Sequence, residues 1–170
     1  MFLLIDARNA FNKENRTAML LSVWHEWTGG AQFTFNCYRH WATLVVRDTV
    51  DLSGRFLYNK EGVTQREPLN MIAYGRGFLP LIRDLRRAHP RVKKPWYAGD
   101  TGTGGKFEEI MDNLRDLQLR GPAWGYYPDP TKSISVVAER NVPRAKKYFK
   151  GMVLKVVTGI RYLGEFVGER

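Results

Sequence analysis

The chain has 170 residues, 44% of them hydrophobic, which suffices for one domain with a real core, or one domain and a short extension. Its 27 basic against 17 acidic residues leave a net charge of +10, favouring a polyanionic partner such as nucleic acid or an anionic membrane surface. The lone Cys37 excludes an internal disulfide and suits an intracellular protein; Asp6 and Arg8 cut the apolar opening short of a signal peptide, and no later run has transmembrane length, so no membrane insertion is expected.

Taken in order, Phe2 to Asp6 reads as a fully buried strand. Asn12 or Asn15 can cap the helix that follows, which carries Ala18, Leu21, Val23 and Trp24 to a stop at Thr28-Gly29-Gly30. Phe33 to Trp41 has aromatics at Phe33, Phe35, Tyr38 and Trp41, an ambiguous spacing, and is expected as a short helix. Leu44–Val46 and Phe56–Tyr58 read as paired strands joined by a polar loop with Ser53-Gly54. Pro68 then opens a long helix to about Ala88, closed by Pro90 and bent at Gly75, Gly77 and Pro80. Its basic end, Arg83, Arg86, Arg87, Arg91, Lys93 and Lys94, suits either the helix dipole or phosphate binding. A hairpin with its glycine-rich tip within Trp96 to Gly102 follows, then a helix through Phe107, Ile110, Met111, Leu114 and Leu117 ending near Gly121. Ser133 to Val137 is a strand and Pro143 to Phe149 a short basic helix. Leu154–Val157 and Arg161–Phe166 are expected as a hairpin about Thr158-Gly159. This order is that of an α+β, ferredoxin-like (split βαβ) fold, an antiparallel sheet with helices on one face.

Two acids stand out. The apolar run ending in Asp6 and the run Trp96-Tyr97-Ala98-Gly99-Asp100 each deliver a carboxylate to a strand end, the second on a glycine-rich tip. A carboxylate on a tight turn is well placed to hold a metal ion. Side by side, the two strands bring Asp6 and Asp100 to one Mg²⁺. Taken singly, an Asp after an apolar run is more often a cap or turn residue, so the metal reading needs several motifs in order.

Those motifs are present. Asp6-Ala7-Arg8-Asn9-Ala10-Phe11-Asn12, Gly62-Val63-Thr64-Gln65-Arg66-Glu67-Pro68-Leu69, Tyr97-Ala98-Gly99-Asp100, Pro130-Thr131-Lys132-Ser133 and Tyr162-Leu163-Gly164 resemble the ordered palm motifs of a retrotransposon-type reverse transcriptase. The resemblance implies a polymerase palm over residues 1–170, with most of the fingers and the thumb absent and a primer-grip-like hairpin at 151–168. Fingers, thumb or other polyprotein domains would then come from elsewhere.

The resemblance also implies an activity: transfer of a deoxynucleoside monophosphate from a dNTP to a primer 3′-hydroxyl, directed by an RNA template and assisted by Mg²⁺ or Mn²⁺. Asp6 and Asp100 would be the metal ligands and catalytic carboxylates, with the Ala7 carbonyl assisting. Phe11 would exclude a ribose 2′-hydroxyl, or simply fill the core. Gln65 would touch the incoming nucleotide. Lys132 would protonate or neutralise the departing pyrophosphate, unless it is a solvated loop charge. Tyr162, Leu163 and Gly164 would grip the primer backbone, unless they form an ordinary edge hairpin.

Two departures argue that this copy is impaired. The pattern Tyr-Ala-Asp-Asp has Gly99 in place of its first acid, and the Gly of Gly-Asp-Pro is replaced by Arg66. The alternatives are a nonenzymatic RNA- or DNA-binding module whose aromatics stack bases, and a decayed transposon relic.

Overall fold

A computed structural model describes residues 1–47, 54–64 and 69–169. The elements are β1 (Phe2–Ala7), α1 (Ala10–Lys13), α2 (Arg16–Glu26), α3 (Thr28–Tyr38), β2 (Ala42–Arg47), β3 (Gly54–Asn59), α4 (Asn70–Ala88), β4 (Trp96–Tyr97), β5 (Asp100–Gly104), α5 (Phe107–Arg120), β6 (Pro128–Val136), α6 (Val142–Tyr148), β7 (Lys155–Val157), β8 (Gly159–Tyr162) and β9 (Glu165–Gly168). The main sheet has the order β4-β5-β1-β6-β7, antiparallel except where β7 runs parallel to β6. The architecture is thus α+β, an antiparallel-dominated sheet with helices, as the sequence implies. No helix among the described residues is long and apolar enough to cross a membrane.

β1 lies at the centre of this sheet, which explains its unbroken apolar run: Leu3, Leu4 and Ile5 are all buried. Successive side chains alternate between faces. Leu3 and Ile5 join one core with Tyr74, Phe78, Leu81 and Leu85 of α4 and Ile110, Leu114 and Leu117 of α5. On the other pleat, Phe2 meets the Tyr162 ring edge-on at 6.3 Å, so β8 and β9 lie over that end of the sheet. Asp6 shares the pleat of Phe2 and Leu4.

Several expectations are corrected. Thr28-Gly29-Gly30 does not merely stop a helix but opens α3, which ends at Tyr38 rather than Trp41. Trp27 ends α2, and its ring lies where any Cβ on residue 30 would come within 2.5 Å, so Gly30 admits the tight junction. β2 and β3 pair as expected but form a two-stranded sheet of their own, apart from the main one. The pairing of Leu154–Val157 with Arg161–Phe166 is not observed. β7 instead joins β6, placing Val156 against the core, while β8 and β9 pair about Leu163-Gly164. Both turn residues have positive φ, 49° and 88°, the combination whose twist suits a two-residue hairpin. β6 begins at Pro128, earlier than the expected Ser133, and contains a bulge. Leu4 pairs with Ile134 and Asp6 with Asp129, so Ile5 alone faces Pro130, Thr131, Lys132 and Ser133. α4 continues through Pro80, and its expected start at Pro68 lies outside the described residues.

One buried cation ties the loops together. The Arg16 guanidinium donates to the carbonyls of His40, Asn59, Glu61 and Gly62 at 3.0–3.2 Å, joining α2 to the chain that leaves β3. Asn15 caps α2, its side chain accepting from the Ala18 amide at 3.0 Å.

Candidate nucleotidyl-transfer site

Asp6 and Asp100 reach one end of the sheet from adjacent strands. The last β1–β5 pair is Ile5 with Thr101, so one further antiparallel step sets Asp6 opposite Asp100. Burial pushes the Asp100 carboxyl above the usual carboxylate range, and the charge of Asp6 pushes it further. Asp100 follows the turn Ala98-Gly99, in which Ala98 has φ 51°. The Tyr126 hydroxyl anchors the turn, donating to the Gly99 carbonyl at 3.3 Å and exchanging a hydrogen bond with Thr101 at 2.9 Å. Burial raises the pKa of Tyr126 well above its ordinary value.

The bulge brings Lys132 to this end of the sheet: its Nζ lies 3.9 Å from Asp6 Oδ2. The ammonium is more than half exposed, so the pair contributes little to stability. Its effect is local, a cation beside Asp6.

Asp129 is a carboxylate the sequence reading missed. It sits opposite Asp6 on β6, accepts from the Thr131 hydroxyl at 2.6 Å and amide at 3.1 Å, and lies 3.9 Å from Arg8 Nε. The Thr131 hydroxyl, above all, holds its carboxyl below the usual range. Asp129-Pro130-Thr131 is a local Asp-to-backbone turn pattern, the one signal that could have marked it. Among the described residues no three acidic, His or Cys side chains gather to hold a metal ion. Asp129 is turned to its own loop instead.

The remaining candidates divide. Ala7 is buried and pairs with Pro128. Phe11 stacks on Tyr74 at 4.5 Å yet stays partly exposed, so the core and gate readings both keep a basis. Tyr162 is half-buried, and its hydroxyl pKa is raised by burial and then by the Asp100 charge. Leu163 is exposed and Gly164 completes the turn. Gln65 and Arg66 lie outside the described residues. Gly99 has an immediate neighbour: a Cβ there would stand 2.8 Å from the Ala10 methyl and 4.0 Å from the buried, unpartnered Tyr74 hydroxyl.

The basic end of α4 is largely engaged within the chain. Arg83 pairs with Glu26, Arg87 with Asp84 at 3.8 Å and Arg91 with Glu109 at 2.9 Å. Lys94 is buried, donating to the carbonyls of His89 at 2.6 Å and Val92 at 3.3 Å, and desolvation lowers its pKa. Arg87 and Arg91 nonetheless keep 80% and 78% of their side-chain surface exposed, so both readings of that cluster keep a basis.

As a donor set, Asp6 and Asp100 suit one hard divalent cation, since Mg²⁺ is commonly held by one or two carboxylates with substrate phosphates completing its shell. The mutual repulsion expressed at Asp100 is what such a cation relieves. The pair does not furnish the shared ligands that two ions would need.

No protein-family model matches the chain, and no curated protein does. Solved structures do. The chain is similar to apo telomerase from Candida tropicalis, with a TM-score of 0.69 at 11% identity over 98% of the chain and 31% of that protein. A C-terminally truncated form of that telomerase gives 0.65 at 13% identity, covering 98% and 33%. Telomerase from Candida albicans, solved with a fragment of telomeric RNA, gives 0.66 at 11% identity, covering 98% and 30%. The chain therefore spans about a third of the length of these telomerases. The likeness shows the chain to have a reverse-transcriptase-like fold, consistent with a palm.

Proposed function

We propose that this chain is the palm portion of a retrotransposon-type reverse transcriptase, binding template and primer and adding deoxynucleotides weakly or not at all by itself. The observation that carries the reading is the meeting of Asp6 and Asp100 at neighbouring strand ends within a reverse-transcriptase-like fold. A bound Mg²⁺ or Mn²⁺ would supply charge stabilisation for the attacking and leaving oxygens. Asp6 and Asp100 would hold it, while Lys132 would offset charge on the leaving pyrophosphate and Phe11 would border the sugar. Tyr162 would border the primer. The other two thirds of a longer polymerase would supply what this chain lacks, and an intracellular setting fits the RNA template.

Primer extension on an RNA template with Mg²⁺ or Mn²⁺ tests the reading. Extension by the wild-type chain or by an acid-restored variant, lost on Asp6→Asn, supports it. An acid-restored variant that neither extends the primer nor binds Mg²⁺ or Mn²⁺ in a way that Asp6→Asn abolishes overturns it.

A second reading, a nonenzymatic RNA- or DNA-binding module, is favoured by one feature: Lys132 already places a cation beside Asp6, and Gly99 leaves no carboxylate next to Asp100. On that reading binding weakens with salt and ignores chelators.

A further inference from the structure

α2 is apolar on two sides. Met19 and Val23 are buried in the core, as expected of an amphipathic helix. Thr17, Leu20, Leu21 and Trp24, spaced i, i+3, i+4 and i+7, form a second stripe, and with Phe35 of α3 they line an open groove of about 510 Å³. Leu21 and Trp24 are 59% and 58% exposed. Leu20 packs against the core, but nothing among the described residues covers Leu21 and Trp24. None of these residues belongs to the Asp6 end of the sheet.

The charge around the groove specifies what would cover it. Arg39 lies over the Phe35 ring, 5.8 Å from its centroid, and sets a guanidinium at the edge of the groove. α2 and α3 together contain a single carboxylate, Glu26, and it is paired with Arg83. The groove is thus an apolar floor with a cationic edge and no carboxylate free on the two helices that form it. A second copy of the chain would bring a net charge of +10 to that edge, which disfavours self-association. An amphipathic helix laying its apolar face into such a groove is a recurrent mode of peptide recognition.

We propose that the α2–α3 groove docks an acidic amphipathic helix of a partner protein, its apolar ridge between Trp24 and Phe35 and its carboxylates toward Arg39. The proposal stands apart from the nucleotidyl-transfer reading.

The test uses fluorescence anisotropy with two designed helix-forming peptides that share a Leu/Phe ridge, one carrying Glu and the other Lys on the outer face. The full chain should bind the Glu peptide, more weakly as salt rises, and the Lys peptide roughly ten-fold less well. Trp24→Ala should weaken the Glu peptide by about ten-fold or more. Arg39→Glu leaves the groove floor intact and should reverse the preference between the peptides, so the charge claim is read even if the Trp24 variant folds poorly. Equal binding of both peptides, binding of neither, or affinity indifferent to both substitutions would overturn the proposal. So would sedimentation showing a dimer that Leu21→Glu dissociates, since the groove would then be a self-interface.

Discussion

Gly99 and Ala10 form a matched pair, and that decides how an acid can be returned to the turn. A divalent ion and one carboxylate at about 4 Å interact by roughly 8 kcal/mol gross at an effective dielectric near 20. If half survives hydration, an absent ligand costs about a thousandfold in rate. Gly99→Asp alone, however, drives its Cβ to 2.8 Å from the Ala10 methyl. The expected outcome in primer extension is therefore little gain from Gly99→Asp and a larger gain from Gly99→Asp with Ala10→Gly. Equal activity of the single and double variants would show that the turn relaxes freely. Arg16 is a residue whose role was invisible in the sequence, where an Arg early in a helix is unremarkable. Because its planar fork holds four carbonyls in a buried setting, Arg16→Lys should destabilise the fold by roughly 3 kcal/mol, read by urea denaturation. The placement of Asp6 and Asp100 at strand termini was legible because an acid between an apolar run and turn residues leaves a local mark. The nearness of Lys132 to Asp6 was not, since it depends on a bulge that only strand pairing defines.

At the scale of elements, local pattern predicted most helices and strands but not all their partners. The long apolar face of α4, the spacing of α5 and the pair β2–β3 were readable from periodicity. The C-terminal strands were not, because residues 154–166 alternate well enough to pair in more than one way. β7 takes the free edge of β6, and the turn moves to Leu163-Gly164. That turn holds Leu163 at φ 49°, a conformation costing a branched residue about 1 kcal/mol. Leu163→Asn should thus raise the melting temperature by roughly 3 °C in a thermal scan, and an unchanged or lower midpoint would mean that the exposed leucine makes a contact worth more than the strain.

For the whole molecule, one buried acid sets a pH dependence. The Glu14 side chain is almost fully buried, neither oxygen has a hydrogen-bond partner among the described residues, and burial raises its pKa well above 4.5 despite the opposing charge of Arg16. Between the unfolded value and that raised value the folded chain holds a proton that the unfolded chain has lost. Stability from this group is therefore full below about pH 4.5 and falls as pH rises, by up to about 1.4 kcal/mol per pH unit. Glu14→Gln should remove that slope and stabilise the protein at neutral pH, checked by denaturation at several pH values. No periodicity signals such a residue, since Glu14 lies between two helices where a solvated charge is the ordinary expectation. The central place of β1 has a kinetic consequence as well. Its two neighbours are contributed by residues 100–104 and 128–136. At a ribosomal pace of about 5–20 residues per second, an apolar strand made about a hundred residues ahead of its neighbours stays uncovered for roughly ten seconds. Nascent chains stalled before residue 100 should accordingly recruit holdase chaperones, whereas those released beyond residue 136 should not.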